Sequence, residues 1–163
     1  MSFKTIPNKL VKTFFNIQTA NLYSSRFRKY GPSPSSVLWL NDQRQLKRFE
    51  VIANSIATAD FTSLDTIVDF GCGYGAFLEF LYKQKQLTPA HYYGLDLSVE
   101  MIEFCQSKFK SKRVSFFKKS QLDFDVSFSI ISGAFNRSAT YDVSMWENYV
   151  FSNLSKIWGC TKK

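Results

Sequence analysis

The sequence has one histidine, His91, and three cysteines, Cys72, Cys105 and Cys160. The cysteines are odd in number and widely spaced, with no C-x-x-C pair and no Cys/His cluster. A disulfide framework and a structural zinc site are therefore not expected, and no metal site is assigned. Reduced thiols point to a cytoplasmic setting. No apolar run approaches the length of a membrane span. The first residues, MSFKTIPNKLVKTFFNIQ, carry lysines but no uninterrupted apolar core and no small-residue cleavage site, so a signal peptide is not expected. Asn136-Arg137-Ser138 and Asn153-Leu154-Ser155 fit the glycosylation pattern, but nothing else suggests secretion. Internal repeats and low-complexity segments are missing as well.

Apolar bulk is plentiful. Of 163 residues, 45% are apolar and 17% aromatic, which suits one domain with a core of its own and argues against disorder. The formal charge is +8, and part of it is local: Lys108, Lys110, Lys112, Arg113, Lys118 and Lys119 fall within twelve residues. Lys4, Lys9, Lys12, Arg26, Arg28 and Lys29 are spread along the N-terminal segment. Such charge serves either phosphates of a nucleic acid or a solvated surface, and no recognised nucleic-acid module accompanies it.

The chain changes character near residue 64. Before it, Leu10, Val11, Phe14, Phe15 and Ile17 suit an amphipathic helix, and YGPSPSS from Tyr30 breaks the chain. Asn41 or Asp42 can cap a helix with Leu46, Phe49, Ile52, Ala53 and Ile56 on its inner face. After it, strand and helix alternate. DTIVDFG is a strand, AFLEFLYKQ a helix and AHYYGLDLS a strand. Ser98 caps a helix with Met101, Ile102, Cys105 and Phe109 inward. RVSFFK and FDVSFSIIS are further strands. Val143, Trp146, Val150, Leu154 and Ile157 mark a last helix ending at Gly159. This order predicts an α/β fold: βαβ units, a parallel sheet and helices on both faces.

VDFGCGYG, from Val68 to Gly75, sits at the end of the first of these strands. Glycines there let the backbone approach a ligand and aim the next helix N-terminus at it. Gly71, Gly73 and Ala76 fit the dinucleotide pattern G-x-G-x-x-G/A, while Gly71, Gly73 and Gly75 fit D-x-G-x-G-x-G. Asp69 favours the second, because a carboxylate would repel a pyrophosphate and suits a ligand with a positive amino group. Asp96, at the end of the second strand, can accept from both hydroxyls of a ribose or serve as a helix N-terminal charge.

VDFGCGYG, YYGLDLSVEMI and FDVSFSIISGAFN together resemble the class I S-adenosylmethionine-dependent methyltransferases, over about residues 38–160. SSVLWLNDQRQLKRFEVIA is similar to the leader helix of some members. The resemblance implies a Rossmann-like domain over 38–163, preceded by an N-terminal helical or lid segment over 1–37. It implies that Asp69 meets the methionine amino end of the cofactor, that Gly71, Cys72 and Gly73 lie against it, and that Gly75 permits the turn. Asp96 would bind the ribose, Leu97 flank the adenine, and Ser132 and Gly133 sit beside the sulfonium. Phe135 and Asn136 would face the substrate, with Asn136 the candidate for orienting it, and Arg48 is a candidate for the cofactor carboxylate. No role as nucleophile is assigned to Cys72, since no histidine lies nearby in sequence. Where the family often has an acid after the third strand, this chain has Lys118, Lys119 and Ser120.

Methyl transfer needs alignment and exclusion of water more than acid/base groups. The resemblance thus implies a methyltransferase acting on a small molecule or nucleic acid. The alternatives are a non-catalytic cofactor-binding or interaction module and, from G-x-G-x-x-A with Asp96, an NAD-dependent oxidoreductase. Four strands are read where the family has seven. The fourth, Phe128-Ser129-Ile130-Ile131, is expected to be a bare edge, explained by truncation of a longer protein, by a dimer or partner chain, or by a reduced domain.

Overall fold

The computed structural model describes residues 8–85, 87–137 and 142–163. Lys4 and Ser138 lie outside the described residues, as does the start of the 1–37 segment.

Among the described residues the elements are α1 (Asn8–Tyr30), α2 (Asp42–Ala57), β1 (Thr66–Phe70), α3 (Ala76–Gln84), β2 (His91–Asp96), α4 (Val99–Lys108), β3 (Val114–Lys118), β4 (Phe128–Ile131) and α5 (Val143–Gly159), with strand and helix alternating from β1 to β3. A short 3-10 turn, Pro34–Val37, joins α1 to α2. Every paired strand is parallel, in the order β3-β2-β1-β4. The α/β, Rossmann-like architecture read from the sequence is the one observed.

Side chains alternate along β1, and each face finds a different partner. Ile67 joins Phe49, Ala53 and Ile56 of α2, Phe77 and Leu81 of α3 and Ile102 and Cys105 of α4 in one core. Val68 and Phe70 join Leu95, Val126 and Ile157 of α5 in the other. Three helices therefore cover one face and α5 covers the opposite one. The caps follow from short polar side chains. Asn41 accepts from the Arg44 amide, Ser98 from that of Met101 and Asp142 from that of Met145.

α1 packs against α4 and α5. Ser24 Oγ lies 2.9 Å from Ser98 Oγ and donates to Glu100, which also pairs with Arg28. Phe27 meets Phe104 edge-on. At the other end Phe15, fully buried, packs on Trp146 and Tyr149, and the Tyr149 hydroxyl donates to Asn16 at 2.8 Å.

Two expectations need correction. Leu46 is 46% exposed, and Gln45 takes the inward position because its Oε1 accepts from the Tyr74 hydroxyl at 2.9 Å. On α5 the buried face is Tyr149, Asn153 and Ile157, while Val143 and Leu154 point outward. Asn153 can be buried because its amide donates to the Tyr149 carbonyl at 2.7 Å. β4 is the outer strand as expected, and backbone cover is found just before it, at Val126 and Ser127. Thr161 bridges Val126 in parallel, the Lys162 amide donates to the Val126 carbonyl and the Lys163 amide to that of Ser127, both at 3.0 Å.

Candidate functional site

A cavity of about 450 Å³ opens at the C-terminal ends of the strands, where β1 has its neighbours β2 and β4 on opposite sides. Such a crevice is where parallel α/β sheets hold ligands. The glycine loop forms its floor. Gly71 and Gly73 have φ of +77° and +56°, which side chains rarely adopt. A Cβ on Gly71 would stand 2.9 Å from Ala134 Cβ, and one on Gly73 would stand 2.9 Å from Val37 Cγ1. The loop is thus pressed between the segment after β4 and the 3-10 turn, with its backbone facing the cavity.

Two carboxylates flank that loop. Asp96 is tied down by backbone amides: Gly73 N donates to Oδ2 at 3.0 Å and Ser98 N to Oδ1 at 2.8 Å. The helix N-terminal reading of Asp96 is the one observed, and the same carboxylate ties the glycine loop to the start of α4. Burial pushes its carboxyl up, against the pull of those amides. Asp69 is buried and accepts from the Tyr92 hydroxyl at 2.7 Å. Burial, ahead of every other cause, pushes its carboxyl up to about 7; the Tyr92 bond opposes this and the charge of Asp96 adds to it.

Of the residues singled out in the sequence, Asp69, Gly71, Cys72, Gly73, Asp96, Leu97, Ser132, Gly133, Phe135 and Asn136 line this one cavity. Gly75 does not. It caps α3, and a Cβ there would meet Phe109 and Cys105. Arg48 does not line it either, because its guanidinium lies over Trp39, and Arg44 takes the cavity wall instead. Lys119 and Ser120 line the end beyond β3. Burial pushes the Cys72 thiol well up, and both its Sγ and that of Cys105 lie within 3.7 Å of the Gly73 carbonyl oxygen. His91 sits at the opposite end of β2, stacked on Tyr93 and 2.9 Å from Ser115 Oγ, in a packing role.

Sequence reasoning missed the far wall: Thr19 and Tyr23 of α1, Trp39, and Tyr149 and Asn153 of α5. These come from elements distant in the chain, and no local motif marks them. The phenol of Tyr23 is pushed up by burial first and then by Asp96, with Arg137 and Arg26 acting the other way. Among the described residues two buried side-chain polar atoms lack a hydrogen bond, Gln121 Nε2 and Ser132 Oγ, and Ser132 lines this cavity. Among the described residues no cluster could hold a metal ion, and no helix is long and apolar enough to cross a membrane.

A family described as methyltransferase domain matches residues 67–150, from the second residue of β1 into α5. A protein of Mycobacterium tuberculosis named as a methyltransferase is 35% identical over 72 residues, which are 44% of this chain and 42% of that protein. The matched stretch thus spans less than half of that relative's length. Among solved structures, magnesium protoporphyrin IX methyltransferase from Synechocystis, with bound S-adenosylmethionine, has a TM-score of 0.59 at 17% identity, covering 99% of this chain and 75% of that one. The plantazolicin methyltransferase in complex with S-adenosylhomocysteine has a TM-score of 0.53 at 21% identity, covering 95% of this chain and 58% of that one.

Proposed function

The chain belongs to the methyltransferase domain family, and on that premise we propose that it moves a methyl group from S-adenosylmethionine to an acceptor at the cavity mouth. The observation that carries the reading is the link from the Gly73 amide to Asp96 Oδ2, which sets a left-handed glycine loop and a ribose-binding acid on one wall. Three features of the chain suit this cofactor. The cradle at Gly71 and Gly73 has no room for side chains, since a Cβ at either would run into Ala134 or Val37, so bare backbone faces the cavity. The Ser132 hydroxyl awaits a partner. Asp69 faces the same space as a carboxylate suited to an ammonium group.

In this reading Gly71, Cys72 and Gly73 receive the cofactor through backbone, Asp96 holds the ribose and Leu97 borders the adenine. Lys119 and Ser120 close the adenine end, where an acid is common in the family. Asp69 meets the amino end, with Arg44 at the carboxylate. Ser132 and Gly133 stand beside the sulfonium, and Asn136 orients the acceptor. α1 covers the cavity through Thr19 and Tyr23, which gives residues 1–37 the role of a lid. The cytoplasmic setting suggested by three unbonded cysteines is part of the same proposal.

A nucleic-acid acceptor draws less support. Lys110, Lys112 and Arg113 precede β3, at the end of the sheet away from the cavity, while Lys118 ends the strand and Lys119 follows it. The five residues of β3 separate the two groups by roughly 16 Å. Calorimetric titration of the chain with S-adenosylmethionine, with NAD as control, tests the proposal. Binding of the former alone is expected. Binding of NAD alone, or of neither by a folded chain, would remove it.

A further inference from the structure

Lys108, Lys110, Lys112 and Arg113 fall close together in the sequence, and the cavity uses none of them. α3 leads back to the start of β2 and α4 to the start of β3, so both helices end at the N-terminal ends of the strands. An open groove of about 480 Å³ lies there, between Glu79, Tyr82 and Lys83 of α3 and Lys108, Phe109 and Lys110 at the end of α4. Lys85 stands two residues beyond Lys83, and Lys112 and Arg113 lead from the groove into β3.

Structural roles account for two of these cations. Glu79 pairs with Lys83 at 3.1 Å and with Lys108 at 2.6 Å, and both lysines suit the negative C-terminal ends of their helices. Lys108 Nζ also lies over the Phe109 ring, 5.3 Å from its centre. Lys85, Lys110, Lys112 and Arg113 are exposed, and among the described residues none of the four has an ion pair. Glu79 is the only carboxylate lining the groove, and two lysines already share it. The remaining positive charge calls for an anionic chain. The rings decide which kind. Tyr82 is 51% exposed and meets Phe109 edge-on, with ring centres 6.0 Å apart. A half-exposed ring among unpaired cations offers a stacking face to an unpaired base. An acidic peptide would leave that ring idle, and a duplex keeps its base faces covered.

We propose that the groove between the ends of α3 and α4 is a docking site for single-stranded nucleic acid, with a base on Tyr82 and phosphates on Lys85, Lys110, Lys112 and Arg113. The shared chemistry is a phosphodiester backbone with unpaired bases. The site stands at the end of the sheet opposite the cavity, so its occupant is bound as a partner and not as the methyl acceptor. It is independent of the methyl-transfer reading.

The test is fluorescence anisotropy of the full chain with end-labelled oligodeoxythymidine and oligouridine of equal length, over a range of salt. Binding of at least one is expected, and a preference between them tells DNA from RNA. Four phosphate contacts predict a slope of roughly −3 in log affinity against log salt. Lys110→Glu combined with Lys112→Glu should weaken binding by about tenfold or more and flatten that slope. Tyr82→Ala should weaken it by about fivefold or more with the slope unchanged, since stacking releases no counterions. Lys9→Glu combined with Lys47→Glu makes the same change in net charge on α1 and α2, outside the groove, and should stay near the parent. The proposal is overturned if neither probe binds, if that control loses as much as the groove variant, or if Tyr82→Ala binds like the parent. It is also overturned if polyglutamate of equal charge displaces the probe as readily as unlabelled oligonucleotide, because the occupant is then an acidic peptide.

Discussion

Single atoms decide the cofactor end of the cavity. Gly73 has φ of +56° and Val37 2.9 Å from where its Cβ would stand, so Gly73→Val both strains the loop and runs into Val37. Asp96→Ala removes the acceptor of two backbone amides as well as the proposed ribose contact. Each variant is expected to abolish S-adenosylmethionine binding by calorimetry, and two variants that bind like the parent would sink the site assignment. Asp69 makes a pH-dependent prediction. Its folded carboxyl titrates at about 7 rather than at the ordinary 3.8. Between those values the folded chain keeps a proton that the unfolded chain has released. The group therefore contributes stability that is full below about pH 4 and is lost as pH rises through about 7. Binding an ammonium runs the other way, since it needs the ionised form. S-adenosylmethionine affinity should rise between about pH 6 and about pH 8, and Asp69→Asn should weaken binding and flatten that rise. The same variant should raise stability at about pH 8 by roughly 2 kcal/mol or less, read by urea unfolding. The aspartates and glycines of this loop were legible in the sequence because their chemistry is local. Arg44 was not, and Arg48 was chosen in its place, because one helical step decides which of the two guanidinium groups reaches the cavity and which lies over Trp39.

At the scale of elements, the order of strands and helices was legible because period and caps are properties of short windows. AFLEFLYKQ became α3, Ser98 capped α4 and Asn41 capped α2. The errors lie where a polar residue displaced an apolar one. Gln45 faces inward in place of Leu46, and Asn153 is buried while Leu154 faces out. In each case a distant or backbone hydrogen bond offsets the cost of burying an amide, and hydrophobic spacing carries no trace of such bonds. The placement of α1 was hidden for the same reason. One of its anchors is polar: Ser24 contacts Ser98 and Glu100, more than seventy residues away, and Arg28 pairs with Glu100. Ser24→Ala should cost about 1 kcal/mol in urea unfolding. If α1 is a lid hinged on this contact, amide exchange should quicken along α1 and stay unchanged along α3. Equal acceleration of both helices would mean that Ser24 supports the domain as a whole and not the lid.

For the molecule as a whole, the question is how four parallel strands keep an apolar outer strand in solution. Phe128 and Ile130 turn toward one core and Ile131 packs against the other, so the backbone edge of β4 is the part left to protect. Sequence reading placed that edge in the open, and β4 is indeed outermost; what it did not see is the cover just before the strand. The structure continues past Gly159: Cys160 accepts from the Val126 amide at 2.9 Å, and Lys162 and Lys163 donate back to Val126 and Ser127. Ser129 Oγ and Thr161 Oγ1, 2.6 Å apart, fasten the pair by side chains. Two ion pairs also hold this segment, since Lys163 Nζ reaches Asp65 at 2.9 Å and Lys162 pairs with Asp125 at 3.1 Å. Lys162→Pro removes the amide that donates to Val126 and fixes φ at a position inside the pairing, which costs an edge ladder bond. Its expected effect is a loss of about 1–3 kcal/mol, as for a hydrogen bond removed from a partly buried acceptor. It should also produce concentration-dependent association in sedimentation velocity, as the freed edge pairs between chains. Lys162→Ala keeps the backbone amide and should stay near the parent in both measurements. If the alanine variant associates as strongly as the proline variant, the Lys162–Asp125 pair protects the edge rather than the ladder. If neither associates, Thr161–Lys163 does not serve to shield β4.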